Sequence, residues 1–135
     1  MTLQTSVRRG CLIVEMPAEV DIGNAEPLRQ ELRDMCRTLL SPVSRDGLSA
    51  VVVDWAAAPF LTMAGVAVLD DFRQQASECG VPVRVVASRR WPRAVLRIVG
   101  LDGVLPVHDT VEQALVGDDT ASRGRDRPET GRTTS

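Results

Sequence analysis

Apolar positions along this chain fall into two kinds of run: short continuous blocks, and longer stretches spaced by threes and fours. Leu12 to Met16 is a short apolar block, and the Arg9-Gly10 pair before it reads as a hairpin turn pairing it with Leu3 to Val7. Ala25, Leu28, Leu32, Met35, Cys36 and Leu39 then recur at three and four residues, which predicts an amphipathic helix. Asn24 is placed to cap it, and Pro27 to fall in its first turn, where a missing N–H costs little. The SPVSRDG stretch from Ser41 reads as a loop, and Leu48 to Val53 as a β-branched strand covered on both faces.

A second helix is predicted from about Met63 to Cys79, with Gly80 at the C-terminal cap. Val68, Phe72, Ala76 and Cys79 form its inner stripe, while Asp70, Asp71, Arg73, Gln74 and Glu78 face water. Val81 to Ala87 is the next strand, with Pro82 near its start. Pro92 opens a third helix carrying Val95, Leu96 and Val99, which Gly100 ends. Val104 to Val107 is a last short strand, and Thr110 to Gln113 has the form of a capping box before a final helix. The order β-β-α-β-α-β-α-β-α predicts an α/β fold: a mixed, mostly parallel sheet of about five strands with about four helices packed on it.

Composition narrows what such a domain can do. The 135 residues suffice for one domain with a real core, and 44% hydrophobic with 25% charged is ordinary for a globular chain. The 16 basic residues are all arginine and meet 18 acids, so a net charge of −2 argues against a nucleic-acid partner. Cys11, Cys36 and Cys79 show no CxxC spacing and, with the single His108, make no zinc site; they read as buried free thiols. The start MTLQTSVRRGC holds no apolar signal region and no run approaches membrane-spanning length, so no membrane association and a cytoplasmic location are expected. From Gly117 the chain mixes charge with Gly, Pro, Ser and Thr, which predicts a domain over residues 1–116 and a disordered tail over 117–135. No metal cluster, glycine-rich phosphate loop or serine–histidine–acid set can be assembled, so neither enzymatic activity nor a cofactor is expected.

The string DWAAAPFLTMAGVAVLDDF, residues 54 to 72, takes a β-branched strand through an acid and a Pro59 loop into a helix at Ala64-Gly65. Here the chain resembles the STAS domain of bacterial anti-sigma-factor antagonists. Their pattern is a strand, an acid or amide, a loop, then Asp-Ser-Ser/Thr-Gly-Leu opening a helix. Ala18-Glu19-Val20-Asp21 is similar to the family's Gly-Glu-Leu-Asp segment, and Asn24 to Leu28 to its first-helix start. Arg97 to Leu101 and Val111 to Leu115 match later segments, so the likeness runs from about Leu3 to Val116. The resemblance implies the STAS fold and a binding partner: an anti-sigma factor that is a serine kinase of the histidine-kinase-like ATPase type, in partner-switching control of transcription. A homodimer is left open.

The phosphoacceptor turn departs from the pattern. In the family the first serine of Asp-Ser-Ser/Thr-Gly takes phosphate from the partner kinase, which breaks the complex. That position is Met63 here, preceded by Thr62 and followed by Ala64, with Gly65 and the apolar Val66 retained. A thioether has no oxygen to phosphorylate, so the charge that would switch binding is not expected. Thr62 is the alternative acceptor, helix capping being its favoured role. The resemblance assigns the partner surface to Glu19, Asp21, Leu61, Thr62, Met63, Ala64 and Gly65; for the two acids, solvated helix-start residues are an equal reading. Met63 reads equally as interface or core, and Phe60-Leu61 as core ahead of interface. Arg89, Arg90, Arg93 and Arg97 read as a solvated face, with anion binding as the alternative, and His108 as a surface or loop residue. The rival functions are a nucleotide- or anion-binding STAS signalling domain unrelated to sigma factors, and a small phosphate-carrying enzyme component using Asp54, Thr62 or His108.

Overall fold

Two continuous apolar strands and a third interrupted only by Arg84 dictate the centre of the domain, because such strands must be covered on both sides. The computed structural model describes residues 3–41 and 47–121, the last five by backbone alone. Strand β1 (Gln4–Arg8) pairs antiparallel with β2 (Cys11–Glu15). Helix α1 (Ile22–Leu39), β3 (Ala50–Asp54), α2 (Met63–Glu78), β4 (Val83–Val86) and α3 (Arg90–Ile98) follow. A 3₁₀ turn (Leu101–Gly103), β5 (Val107–His108) and α4 (Val111–Ala121) complete the described chain. Strands β2 to β5 are parallel neighbours, so the sheet order is β1-β2-β3-β4-β5.

The period of two along each strand divides the core into two layers. Leu12, Val14, Val51, Val53, Val83 and Val85 point to one face and pack with Leu28, Leu32, Leu69, Phe72 and Leu96 from α1, α2 and α3. Cys11, Ile13, Ala50, Val52 and Val86 point the other way and meet Ala114 and Leu115 of α4. Arg84 shares that second face, is buried, and donates from Nη1 to the Ala114 carbonyl at 2.8 Å. Arg8 on β1 reaches Glu112 of α4 at 3.7 Å. The hairpin turn sits at Arg9 and Gly10, both with positive φ (52° and 75°), the geometry a right-twisted two-residue hairpin needs.

The α/β architecture agrees with the sequence reading, and the differences lie at element ends. The N-cap of α1 is Asp21, not Asn24: the Asn24 N–H donates to Asp21 Oδ1 at 3.1 Å and the Asp21 N–H to Asn24 Oδ1 at 2.8 Å. This reciprocal box starts the helix at Ile22, so Pro27 lies in the second turn, and Leu40 rather than Leu39 is buried after the last turn. Pro92 is the third residue of α3, not its opener. The last strand is Val107–His108, not Val104 to Val107, because the Val104 and Leu105 N–H groups both turn back to the Leu101 carbonyl (3.0 and 2.8 Å). Pro106 then offers no ladder donor. His108 consequently lies half-buried on a strand, not in a loop. Cys11 and Cys36 are buried free thiols, while Cys79 is half-buried as the C-cap of α2. Helix α4 runs to Ala121, past the Gly117 at which a tail was expected; residues 122–135, like 42–46 of the Ser41 loop, lie outside the described residues.

Candidate functional site

Two loops leave the C-terminal ends of the adjacent parallel strands β2 and β3, the edge at which open α/β sheets collect their functional groups. The first, residues 16–21, leads into α1; the second, residues 55–62, leads into α2. Backbone bonds root both in the sheet: the Met16 N–H donates to the Asp54 carbonyl and the Trp55 N–H to the Val86 carbonyl (3.0 and 2.9 Å). Trp55 is buried, and its indole N–H crosses to the Pro17 carbonyl at 3.0 Å. Asp54, ending β3, turns its Oδ1 onto the Ala56 N–H at 3.0 Å and so shapes the start of the second loop.

Thr62 completes the tie. Its backbone is extended, it is the N-cap of α2, and its Oγ1 accepts the Gly65 N–H at 3.1 Å. The same hydroxyl donates to the Val20 carbonyl in the first loop. One oxygen thus closes the first turn of α2 and fastens it to the start of α1. Both hydrogen-bonding roles of the hydroxyl are filled by the fold, which is the capping role. Gly65 is where the packing is tightest. A Cβ there would stand 3.0 Å from Leu61 Cδ1 and 3.5 Å from both Trp55 Cη2 and Val20 Cβ. Glycine lets the first turn of α2 seat directly on that cluster.

These fixed parts display three large apolar side chains. Met63, the first residue of α2, is 66% exposed. Phe60 is 64% exposed and Ile22, first residue of α1, is 92% exposed. Glu19 and Asp21 are exposed beside them, and the Glu19 carbonyl accepts from Asn24 Nδ2 at 2.9 Å. Ala64 is half-buried, whereas Leu61 and Gly65 are buried and support the turn from within. Phe60 is therefore surface and not the core residue its sequence suggested, and Ile22 is a surface residue the pattern did not single out. The signal for Ile22 was the capping box: once Asp21 is the cap, the next residue stands in the first turn, off the buried stripe of Leu28, Leu32, Met35 and Cys36.

Among the described residues no group of His, Cys, Asp and Glu could hold a metal ion. Burial, with Cys79 and Asp71 nearby, pushes the Cys36 thiol up to about 11, so it is a packed thiol and not a nucleophile. Burial first, then Arg84 and Arg93, holds His108 below its ordinary value against the opposing pull of Asp109, and its Nε2 is buried without a hydrogen-bond partner. Of the four basic residues around α3, Arg93 is engaged: its Nη1 meets Asp109 Oδ1 at 2.6 Å and the Ala87 carbonyl at 3.1 Å. No described helix is long and apolar enough to cross a membrane.

Comparison with known proteins places this geometry. A family model described as the STAS domain matches residues 2–114. Among solved structures, an anti-sigma factor antagonist from Mycobacterium paratuberculosis superposes with a TM-score of 0.71 at 24% identity, covering 86% of this chain and 92% of that one. The Bacillus cell-fate determinant SpoIIAA, in its phosphorylated form, gives 0.58 at 15% identity over 85% of this chain and 97% of its own. A murine solute carrier family 26 anion transporter, member A9, gives 0.67 at 15% identity, over 85% of this chain but only 18% of the transporter. At these identities the likeness is one of fold. No curated protein matches the chain.

Proposed function

Because this chain belongs to the STAS domain family, we propose that it is a cytoplasmic protein-binding regulator, an antagonist that engages an anti-sigma factor of the serine-kinase type. We further propose that it does so without the phosphate switch and without catalysis of its own. The observation that carries the reading is the start of α2: Met63, which the resemblance matches to the acceptor serine, stands exposed, and the neighbouring Thr62 hydroxyl is bound to Val20 and Gly65. Structural neighbours that are anti-sigma factor antagonists support the choice of partner class. The surface built by Ile22, Phe60 and Met63, with Glu19 and Asp21 at its margin, suits a protein partner better than a small polar ligand. Apolar anchors within a polar rim are how protein interfaces are composed.

A phosphoserine at this turn would gain from the free N–H groups of the first helical turn while adding about two negative charges to the contact surface. A methionine keeps that surface neutral whatever the kinase does. The test combines purified chain, ATP and the anti-sigma kinases of the source organism. Binding with no phosphate incorporated is expected, and Met63→Asp should weaken binding by placing a charge at the contact. Stoichiometric phosphorylation at Thr62, or an affinity indifferent to Met63→Asp, refutes the reading. The transporter neighbour shows the same fold outside antagonists, and for that rival the discriminating result is a thermal shift with GTP or ATP that Gly65→Val abolishes.

A further inference from the structure

The arginines around α3 are the feature the proposed function leaves unused. Arg89, Arg90 and Arg97 are exposed, and among the described residues none has an acidic partner, in contrast to Arg93. Arg89 and Arg90 lie at the N-terminal end of α3, which has no acid in its first turn. Cations there oppose the helix dipole, so the fold by itself gains nothing from them at that end. The same helix exposes two large apolar side chains, Trp91 at 61% and Ile98 at 79%.

Helical spacing arranges these residues in two parallel stripes. Trp91 and Ile98 stand seven residues apart, two turns along one stripe, with the half-buried Ala94 between them. Arg90 and Arg97 repeat the same spacing on the neighbouring stripe, while Pro92 and Leu96 turn to the core. Tryptophan and arginine are the side chains that anchor protein interfaces, and an outward helix stripe of this kind fits an apolar groove. Helices α2 and α3 follow the adjacent parallel strands β3 and β4, so Met63 and the Arg89–Trp91 end of α3 emerge at one edge of the sheet.

We propose that α3 is a second docking strip for the same partner, received by an apolar groove whose lip along Arg90 and Arg97 carries carboxylates. The proposal rests on the antagonist reading above. Charge complementarity selects the groove's chemistry: three exposed guanidinium groups, without an acidic partner among the described residues, form a local positive field that an acidic lip neutralises. Two apolar side chains on a nine-residue helix fall short of a stable membrane anchor, which favours a protein as occupant.

The experiment measures affinity of the full chain for the cognate anti-sigma kinases by calorimetry, from about 50 to about 300 mM sodium chloride. Wild type, Met63→Asp, the Arg90→Glu/Arg97→Glu pair and the Trp91→Ala/Ile98→Ala pair are compared, each variant first shown to melt like wild type. The charge-reversed pair should bind at least about tenfold more weakly and lose most of the salt dependence, and the apolar pair should lose affinity at every salt concentration. If Met63→Asp weakens binding while both α3 pairs bind as wild type, the strip is overturned and the antagonist reading stands. If wild type binds no such kinase, both fall. Sedimentation with phosphatidylcholine vesicles containing about 30% phosphatidylserine, lost on charge reversal with kinase affinity unchanged, assigns α3 to a membrane surface and overturns the protein groove.

Discussion

Replacing Thr62 by valine keeps the side chain's shape and removes only its hydroxyl, which isolates the tie between the two loops. In the native protein that oxygen accepts the Gly65 N–H at 3.1 Å and donates to the Val20 carbonyl. Loss of an N-cap hydroxyl costs about 1 kcal/mol. The Val20 carbonyl then loses its side-chain partner, for roughly another 1 kcal/mol, given that Thr62 is exposed and water can partly replace it. A total of about 2 kcal/mol corresponds, for a domain of this size, to a fall in Tm of roughly 6–10 °C. Thr62→Ser, which keeps the oxygen, should stay within about 0.5 kcal/mol of wild type. Calorimetric melting of the three proteins reads the difference, and amide exchange at Gly65 reports the cap directly, with protection lost in the valine variant alone. A valine variant that melts within about 2 °C of wild type and keeps Gly65 protected refutes the reasoning and returns Thr62 to the list of free hydroxyls.

Gly65→Val puts branched carbon against Leu61, Trp55 and Val20 and should cost about 1–3 kcal/mol, read as a lowered urea midpoint. Arg9→Asn, at φ 52°, should stabilise the hairpin by about 0.5–1 kcal/mol, since asparagine adopts that backbone region more readily; an unchanged midpoint refutes it. His108 is held below its ordinary value in the folded state, so the fold favours the neutral ring. The stability this contributes is complete above pH 6.5 and drains away as pH falls from there through the lower folded value; His108→Gln should flatten that part of the profile. Iodoacetamide at mildly alkaline pH should label Cys79 in the native protein and reach Cys36 only on unfolding.

The strands and helices were legible because their burial is written in periodicity. Val51 to Val53 are fully buried on both faces, and a continuous β-branched run is the signature of that environment. Helix starts were less legible. Asp21, Ile22 and Gly23 do not look like a helix, and only the reciprocal bonds between Asp21 and Asn24 make them one. The resemblance named residues for the candidate site, but not the bonds that tie its two loops together. The Thr62–Val20 bond joins residues 42 apart in sequence, and no local pattern encodes it. Phe60 looked like core because it is large and apolar; its exposure follows from Leu61, which fills the place beneath the turn.

The second face of the sheet bears on how precisely the C-terminal helix is seated. A helix resting on valines, alanine and isoleucine alone could slide by a turn and bury much the same oil. Arg84 removes that freedom, because its guanidinium is met by the Ala114 carbonyl at 2.8 Å and is buried under α4. Displace the helix, and a charged group loses a buried hydrogen bond worth about 1.5–3 kcal/mol. A buried arginine is a poor source of stability but a good source of register, the best-attested use of a buried polar group. Arg84 acts as a detent: it adds little to how tightly α4 is held and fixes where it stops.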